Sequence, residues 1–485
     1  MRNRGQTSMD SDLRSEAVQL LARLPLSVEM PAGTGKTQLI AAMASVAVDK
    51  GQSVLILTHT NAGVAALRTR IKKFGVKQSN IHVDTIASWA FELVRHYPVL
   101  AGIQIPPLPD WSKSSEYVDG AAKVASANAI QAMHVASFNV LMVDEYQDCN
   151  VRQHELVTAI ANVLPTAVFG DRLQGIFDFK DELLVDWEIH VAPVFPVVVR
   201  AHTAWRWKGY NEPLGQWLLD IRDELIAGNT IDLAAVDIEG LTWRPNTHEE
   251  LTASAFAITD HEETVAIMNR WRGDNVRTAN RLGGAYSVME DLNGRFMHQS
   301  LQELEDANPS DYPLWLACFI KKCFTGFGTL DSTVLRRLRR GESTADLLRP
   351  EIELSLQALS ALGAFPSITN LVRVMTLIER NGEGRLHCHE AWRDTLAALR
   401  AVALDPAQKP RDSLALIRDR LRYTGRKSRQ RIISRTLLIK GLEYDHGIIC
   451  GADNFGSLRH LYVGFTRPRK SLTILSNSPL IRLID

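Results

Sequence analysis

The segment Gly33-Thr34-Gly35-Lys36-Thr37 sets a lysine and a hydroxyl directly behind two glycines. Glycine lets a loop turn its N–H groups inward around phosphate oxygens. A lysine there reaches the β- and γ-phosphates, and a threonine hydroxyl holds Mg²⁺. A short apolar run, 26–30, precedes the segment, and a helical pattern, 38–48, follows it. A phosphate loop requires that strand–loop–helix setting, because the helix N-terminus adds a dipole that favours anions. Gly33, Thr34, Gly35, Lys36 and Thr37 are therefore the expected nucleotide contacts, with ATP and Mg²⁺ as cofactors. One position departs from the pattern: Met30 stands where it carries glycine. Further on, Asp144-Glu145 closes another apolar run, 138–143. A carboxylate at the carboxyl end of a strand sits where the second Mg²⁺ contact belongs. Asp144 is that expected contact. Glu145 is the expected general base for an attacking water.

The elements needed to position these groups alternate along the chain. Residues 53–57 and 167–169 read as buried strands, and 64–74 as a helix. Residues 97–111 carry four prolines, a loop signal, and 114–136 look helical. A second strand–helix pattern starts near 197, with a strand expected at 255–258 and a helix at 262–272. Helical patterning dominates 289–422, and strand patterning returns at 431–450 and 472–475. Such alternation predicts parallel sheets covered by helices. The expected architecture is α/β, with two RecA-like P-loop domains and two reduced, mainly helical insertions. Residues 1–90 and 136–196 form the ATP-binding domain in this reading, and 91–135 a small insertion. Residues 197–288 and 423–485 form the second α/β domain, carrying a helical insertion at 289–422.

Composition narrows the partners. The 485 residues hold 55 Lys+Arg and 55 Asp+Glu, a formal net charge of zero. A protein that coats duplex DNA usually shows a basic excess, so nucleic acid is expected in a local groove. The five cysteines contain no C-x-x-C pair, which suits reduced thiols in a cytoplasmic protein. No apolar run is long enough to span a bilayer. His387-Cys388-His389 invites a metal reading, but no second Cys/His pair stands at finger spacing, and adjacent residues of an extended segment point to opposite sides.

Asp144-Glu145-Tyr146-Gln147-Asp148, taken with the phosphate loop, resembles the superfamily 1 helicases of the UvrD/Rep/PcrA type. The resemblance repeats in order over nearly the whole chain. Leu57-Thr58-His59-Thr60-Asn61 and Thr85-Ile86-Ala87-Ser88 are similar to that family's motifs Ia and Ib, which implies contacts to single-stranded DNA from Thr58, His59, Thr60, Asn61 and Thr85. The run from Phe169 to Phe177 resembles motif III. It implies that Gln174 senses the γ-phosphate and that Phe177 or Phe179 stacks a base; Lys180 stands where the family usually has arginine. Trp205-Arg206 resembles motif IV, implying that Trp205 stacks on adenine and Arg206 reaches the γ-phosphate. Lys440-Gly441-Leu442-Glu443-Tyr444 resembles motif V, implying Lys440 at the DNA and Glu443 at the nucleotide sugar. Tyr462-Val463-Gly464-Phe465-Thr466-Arg467 resembles motif VI, which makes Arg467 the arginine finger.

Two departures stand out. No glutamine occurs near Arg14-Ser15-Glu16-Ala17-Val18, where the family reads adenine, and Leu437 replaces a histidine three residues before Lys440. The resemblance implies a DNA-dependent ATPase moving 3′ to 5′ on single strands, in DNA repair or antiviral defence. In size and layout the chain also resembles the helicase-like subunit of Gabija-type anti-phage systems, which works with a separate nuclease. The alternative is thus an ATP- or DNA-sensing assembly subunit that licenses a partner nuclease. A small-molecule P-loop kinase is disfavoured, since it needs neither cations from a second α/β domain nor aromatic residues beside a γ-phosphate sensor.

Overall fold

A computed structural model describes residues 4–76, 78–105, 113–177, 183–291, 294–424 and 429–482. The chain divides into two compact units, Met1–Asn229 with Ser457–Thr466, and Thr230–Gly456 with Arg467–Ile484.

The first unit is built on strands β1 (Leu26–Glu29), β2 (Val54–Thr58), β3 (Ile81–Thr85), β4 (Val140–Val143), β5 (Thr166–Gly170) and β6 (Val197–Val198), in the order β3-β2-β4-β5-β1-β6. Every pairing is parallel. Parallel strands need helical crossovers, and these cover both sheet faces, so the strands read as continuous apolar runs. Alternate residues then serve opposite cores. Leu55, Leu57, Leu141 and Val143 face one core, shared with the helices Ile86–His96 and Ser114–Ala125. Val54, Ile56, Val140, Met142 and Phe169 face the other, shared with helix Lys36–Asp49. Within the expected first insertion, 91–135, the helix Ser114–Ala125 thus shares a core with the sheet.

The second unit also holds a six-stranded parallel sheet, ordered Ser287–Val288, Arg431–Arg435, Val265–Asn269, Tyr444–Cys450, Pro468–Ser476, Leu241–Pro245. Two parallel six-stranded sheets flanked by helices are the expected fold class. Two local expectations fail. Residues 255–258 are not a strand, because His248–Ala257 is a helix that buries Leu251 and Ala255 one turn apart. Residues 262–272 are not a helix, because Val265–Asn269 is a strand buried at every position. A short apolar run buried on both faces carries no period, so pattern alone misassigns it.

The helices within 289–422 share one hydrophobic core with this second sheet. Phe319 stacks on Phe296, Trp315 and Trp392, while Ile433, Ile448 and Leu475 close the same cluster. Five free cysteines are present, with Cys149, Cys323 and Cys388 buried. Among the described residues no helix is long and apolar enough to cross a membrane.

His387 has no exposed surface. Burial, aided by the neighbouring Arg272, lowers its pKa from 6.5 to about 4. Burial and then Arg429 lower His389 to about 4 as well. Between pH 6.5 and about 4 the unfolded chain therefore takes up protons that the folded chain refuses, so stability falls as pH falls through that window. Urea midpoints measured at about pH 7 and about pH 4.5 should show this drop, and His387→Gln should flatten part of it. A slope unchanged in that variant would count against His387 as a source.

Candidate functional site

Parallel strands bring the carboxyl ends of β1, β2, β3, β4 and β5 to one edge of the first sheet. Ligands of open α/β sheets bind at that edge. The phosphate loop leaves β1 there, Asp144-Glu145 leaves β4, and Asp171–Gln174 leaves β5, which lies between the other two.

Gly33 and Gly35 both adopt left-handed backbone, with φ of 73° and 92°. Gly33 also has no room for a Cβ, and Gly35 has little. A Cβ on Gly33 would lie 2.6 Å from the Trp207 ring and 2.8 Å from Arg206 Cβ, and one on Gly35 would lie 3.3 Å from the Trp205 ring. The segment Trp205-Arg206-Trp207 is therefore laid along the loop, and Arg206 N–H donates to the Gly33 carbonyl at 3.0 Å. Arg206 Nη1 donates to the Thr466 carbonyl at 2.5 Å. Trp205 remains 37% exposed, with Lys208 4.7 Å from its ring centre. Residues 197–229, expected to open the second α/β domain, lie in the unit that carries the phosphate loop.

Lys36 opens the helix Lys36–Asp49, and its side chain is nearly buried. Its Nζ lies 3.2 Å from Asp144 Oδ1 and 2.5 Å from Glu145 Oε1. Burial alone would lower the lysine pKa. The two carboxylates outweigh burial and raise it, so the ammonium is kept charged. Asp144 is raised, by burial first and by the charge of Glu145, against the pull of Lys36. Glu145 sits at φ 56°, and no other non-glycine residue described has positive φ. Such a backbone costs about 1–3 kcal/mol and persists where surrounding bonds over-determine it. Here Glu145 N–H donates to Asp144 Oδ1 at 2.8 Å, and Gln147 Nε2 donates to Glu145 Oε2 at 2.5 Å.

A second carboxylate, Asp171, is fully buried at the end of β5. Its Oδ2 accepts from Ala32 N–H at 3.0 Å and from Gln174 Nε2 at 2.8 Å, tying the phosphate loop to Gln174. Asp171 N–H donates to Gln147 Oε1 at 2.9 Å, which links this carboxylate to Glu145 through one amide. The first unit thus brings together Gly33, Thr34, Gly35, Lys36, Asp144, Glu145 and Gln174. Thr37 follows Lys36 in the first turn of the same helix.

The expected DNA contacts lie on the same edge. Thr58 and Thr85 end β2 and β3 directly opposite each other. Thr60 and Thr85 cap the helices Asn61–Lys73 and Ile86–His96, accepting from Gly63 N–H and Ser88 N–H at 3.0 Å each. His59 Nε2 lies 3.4 Å from Cys149 Sγ, and Asn61 opens its helix. Phe177 is half-buried; Phe179 and Lys180 lie outside the described residues. Trp89 packs against His82 and Phe138. In the second unit Lys440 ends the turn Thr436–Ile439, and Glu443 is exposed. Arg467 is 1% exposed there, donating Nη1 to the Leu442 carbonyl at 3.4 Å.

The residue-type reading passed over Gln147, Asp171 and Arg222. Arg222 left a signal: Leu214, Leu218, Ile221 and Leu225 mark the buried stripe of helix Glu212–Ile226, and Arg222 falls on that stripe. A charge on an apolar stripe announces a buried ion pair.

Residues 14–180 match the family model of the AAA domain. The glycine loop and the Lys36–Asp144 pair lie within that segment. No curated protein matches the chain. Among solved structures it is similar to the Pif1 helicase from Candida albicans, at 16% identity and a TM-score of 0.33, with 57% of this chain and 54% of that chain covered. The chain thus spans about half the length of that helicase structure.

Gly33 and Gly51 offer an internal comparison. Both have left-handed φ, but nothing lies within 4 Å of a Cβ on Gly51. Gly51→Ala should cost about 1 kcal/mol of stability from backbone strain alone. Gly33→Ala adds the clash with Trp207 and should cost at least about 2 kcal/mol by urea denaturation. Equal costs would mean that the Trp207 ring moves aside freely.

Proposed function

We propose that the chain is an ATP-dependent translocase or helicase on single-stranded DNA, of the superfamily 1 type and moving 3′ to 5′. The observation that carries this reading is the buried Lys36 ammonium, held against Asp144 and Glu145 at a loop whose Gly33 has no room for a Cβ. The residues present fit Mg²⁺–ATP: the loop offers backbone N–H groups and a charged lysine, and the hydroxyl of Thr37 and the carboxylate of Asp144 are hard oxygen donors suited to Mg²⁺. When bound, Mg²⁺ neutralises charge on the β- and γ-phosphates.

The chain's own groups then divide the work. Lys36 binds the phosphates. Glu145, held by Gln147, accepts the proton of the attacking water. Gln174 reports the γ-phosphate to the loops around it. Arg206 and Arg467 stabilise the equatorial oxygens, on which negative charge spreads in phosphoryl transfer. Trp205 stacks on the base, and Glu443 meets the sugar. Thr58, His59, Thr60, Asn61, Thr85 and Phe177 are the strand contacts in the first unit, and Lys440 is one in the second. Aromatic groups suit such contacts because every base offers a π-face. The cap made by Thr60 leaves a lone pair and the hydroxyl proton for DNA, whereas Thr85 also donates its hydroxyl proton to Ser88 Oγ at 2.8 Å.

The neutral net charge, together with insertion helices that share the sheets' own cores, favours a second reading in which the chain gates a partner nuclease without useful unwinding. ATP hydrolysis measured with and without single-stranded DNA tests the first. Stimulation by DNA is expected, with Lys36→Ala abolishing it and Glu145→Gln lowering kcat by about 10²–10⁴ while nucleotide still binds. Absent stimulation together with an unaffected Lys36→Ala variant would sink the proposal. Unwinding of long duplexes by the chain alone would remove the second reading.

A further inference from the structure

Asp171 has no exposed surface, and burying a carboxylate is costly unless it is paired and hydrogen-bonded. Arg222 is its partner, with Nη1 donating to Asp171 Oδ1 at 2.8 Å. Arg222 is 7% exposed and lies on helix Glu212–Ile226, outside the phosphate loop and every segment assigned above to nucleotide or DNA. Its guanidinium makes two further bonds. Nη2 donates to Glu29 Oε1 at 3.0 Å, where β1 ends, and Nη1 donates to Tyr462 Oη at 2.9 Å. Tyr462 lies on the helix Leu458–Phe465, which ends two residues before Arg467 in the chain. One planar fork thus joins three places: the strand that feeds the phosphate loop, the carboxylate that holds Gln174 and Ala32 N–H, and the helix ahead of Arg467. Arginine suits this because its donors are fixed in one plane, so moving one partner shifts the others.

We propose that Arg222 is a positioning residue that couples the γ-phosphate side of the site to the Tyr462 helix. It acts through Asp171 and touches no substrate itself. The inference rests on the ATPase reading given above. A residue that only stabilised the fold would affect all ligand states alike. A positioning residue affects turnover and the difference between nucleotide states.

The test uses the full chain, as wild type and with Arg222→Met, Arg222→Lys and Tyr462→Phe. Two quantities are measured: kcat and KM for ATP hydrolysis, and affinity for an oligothymidylate of about 20 nucleotides with ADP or with a non-hydrolysable ATP analogue. Arg222→Met should lower kcat at least about tenfold with KM within about threefold, and nucleotide state should cease to change DNA affinity. Arg222→Lys should recover part of kcat. Tyr462→Phe should weaken the nucleotide dependence of DNA binding. Unchanged kcat and retained nucleotide dependence in Arg222→Met would overturn the assignment. If that variant does not fold, unchanged nucleotide dependence in Tyr462→Phe overturns it instead. Wild type that hydrolyses no ATP would remove the ATPase reading, an outcome distinct from a hydrolysing wild type with indifferent variants.

Discussion

A lysine ammonium is buried where a glycine loop meets the end of a neighbouring strand, and two carboxylates face it. Burial alone would push Lys36 toward neutrality, and Asp144 and Glu145 reverse that. The arrangement depends on the sheet. Asp144 leaves β4 and the loop leaves β1, with β5 between them. Only parallel strands put three such ends on one edge. Both faces must then be covered by helices, which is why the strands are apolar throughout. The strained backbone at Glu145 belongs to the same constraint, because it is held by bonds from its own N–H and from Gln147.

Much of this edge was legible in the chain. The loop and the carboxylate pair are contiguous segments, and their chemistry follows from residue type and from the strands that precede them. What escaped was the set of contacts that depends on folding. Gln147 and Asp171 sat in view, but nothing in the sequence says that one amide bridges Glu145 to Asp171 or that Asp171 is buried. Arg222 was detectable only as a charge on an apolar stripe. Trp205 and Arg206 were expected with the second α/β domain, whereas the backbone of Arg206 bonds to Gly33 in the first unit. The error at 255–272 has a simpler cause. Val265-Ala266-Ile267-Met268 is buried on both faces and shows neither helical nor strand period.

Helices within the two expected insertions share the apolar clusters of the sheets. Helix Ser114–Ala125 shares a cluster with one face of the first sheet, and the helices within 289–422 share one with the second. Threonines at the ends of β2 and β3 illustrate a related economy. Thr60 and Thr85 hold helix N-termini through their hydroxyl oxygens and occupy the edge proposed for DNA. Residue type there answers to folding before it answers to any ligand, so a motif match alone overstates what such a residue is for.

The proposed function requires triphosphate hydrolysis at the edge holding Lys36, Asp144 and Glu145. A crystal structure grown with Mg²⁺, ADP and aluminium fluoride tests that most directly. The expected result places the fluoride group at Lys36 Nζ, Mg²⁺ on Thr37 with Asp144 directly or through water, and Glu145 within hydrogen-bond distance of the in-line water. Nucleotide bound elsewhere, or a Glu145 carboxylate turned away from that water, would contradict it.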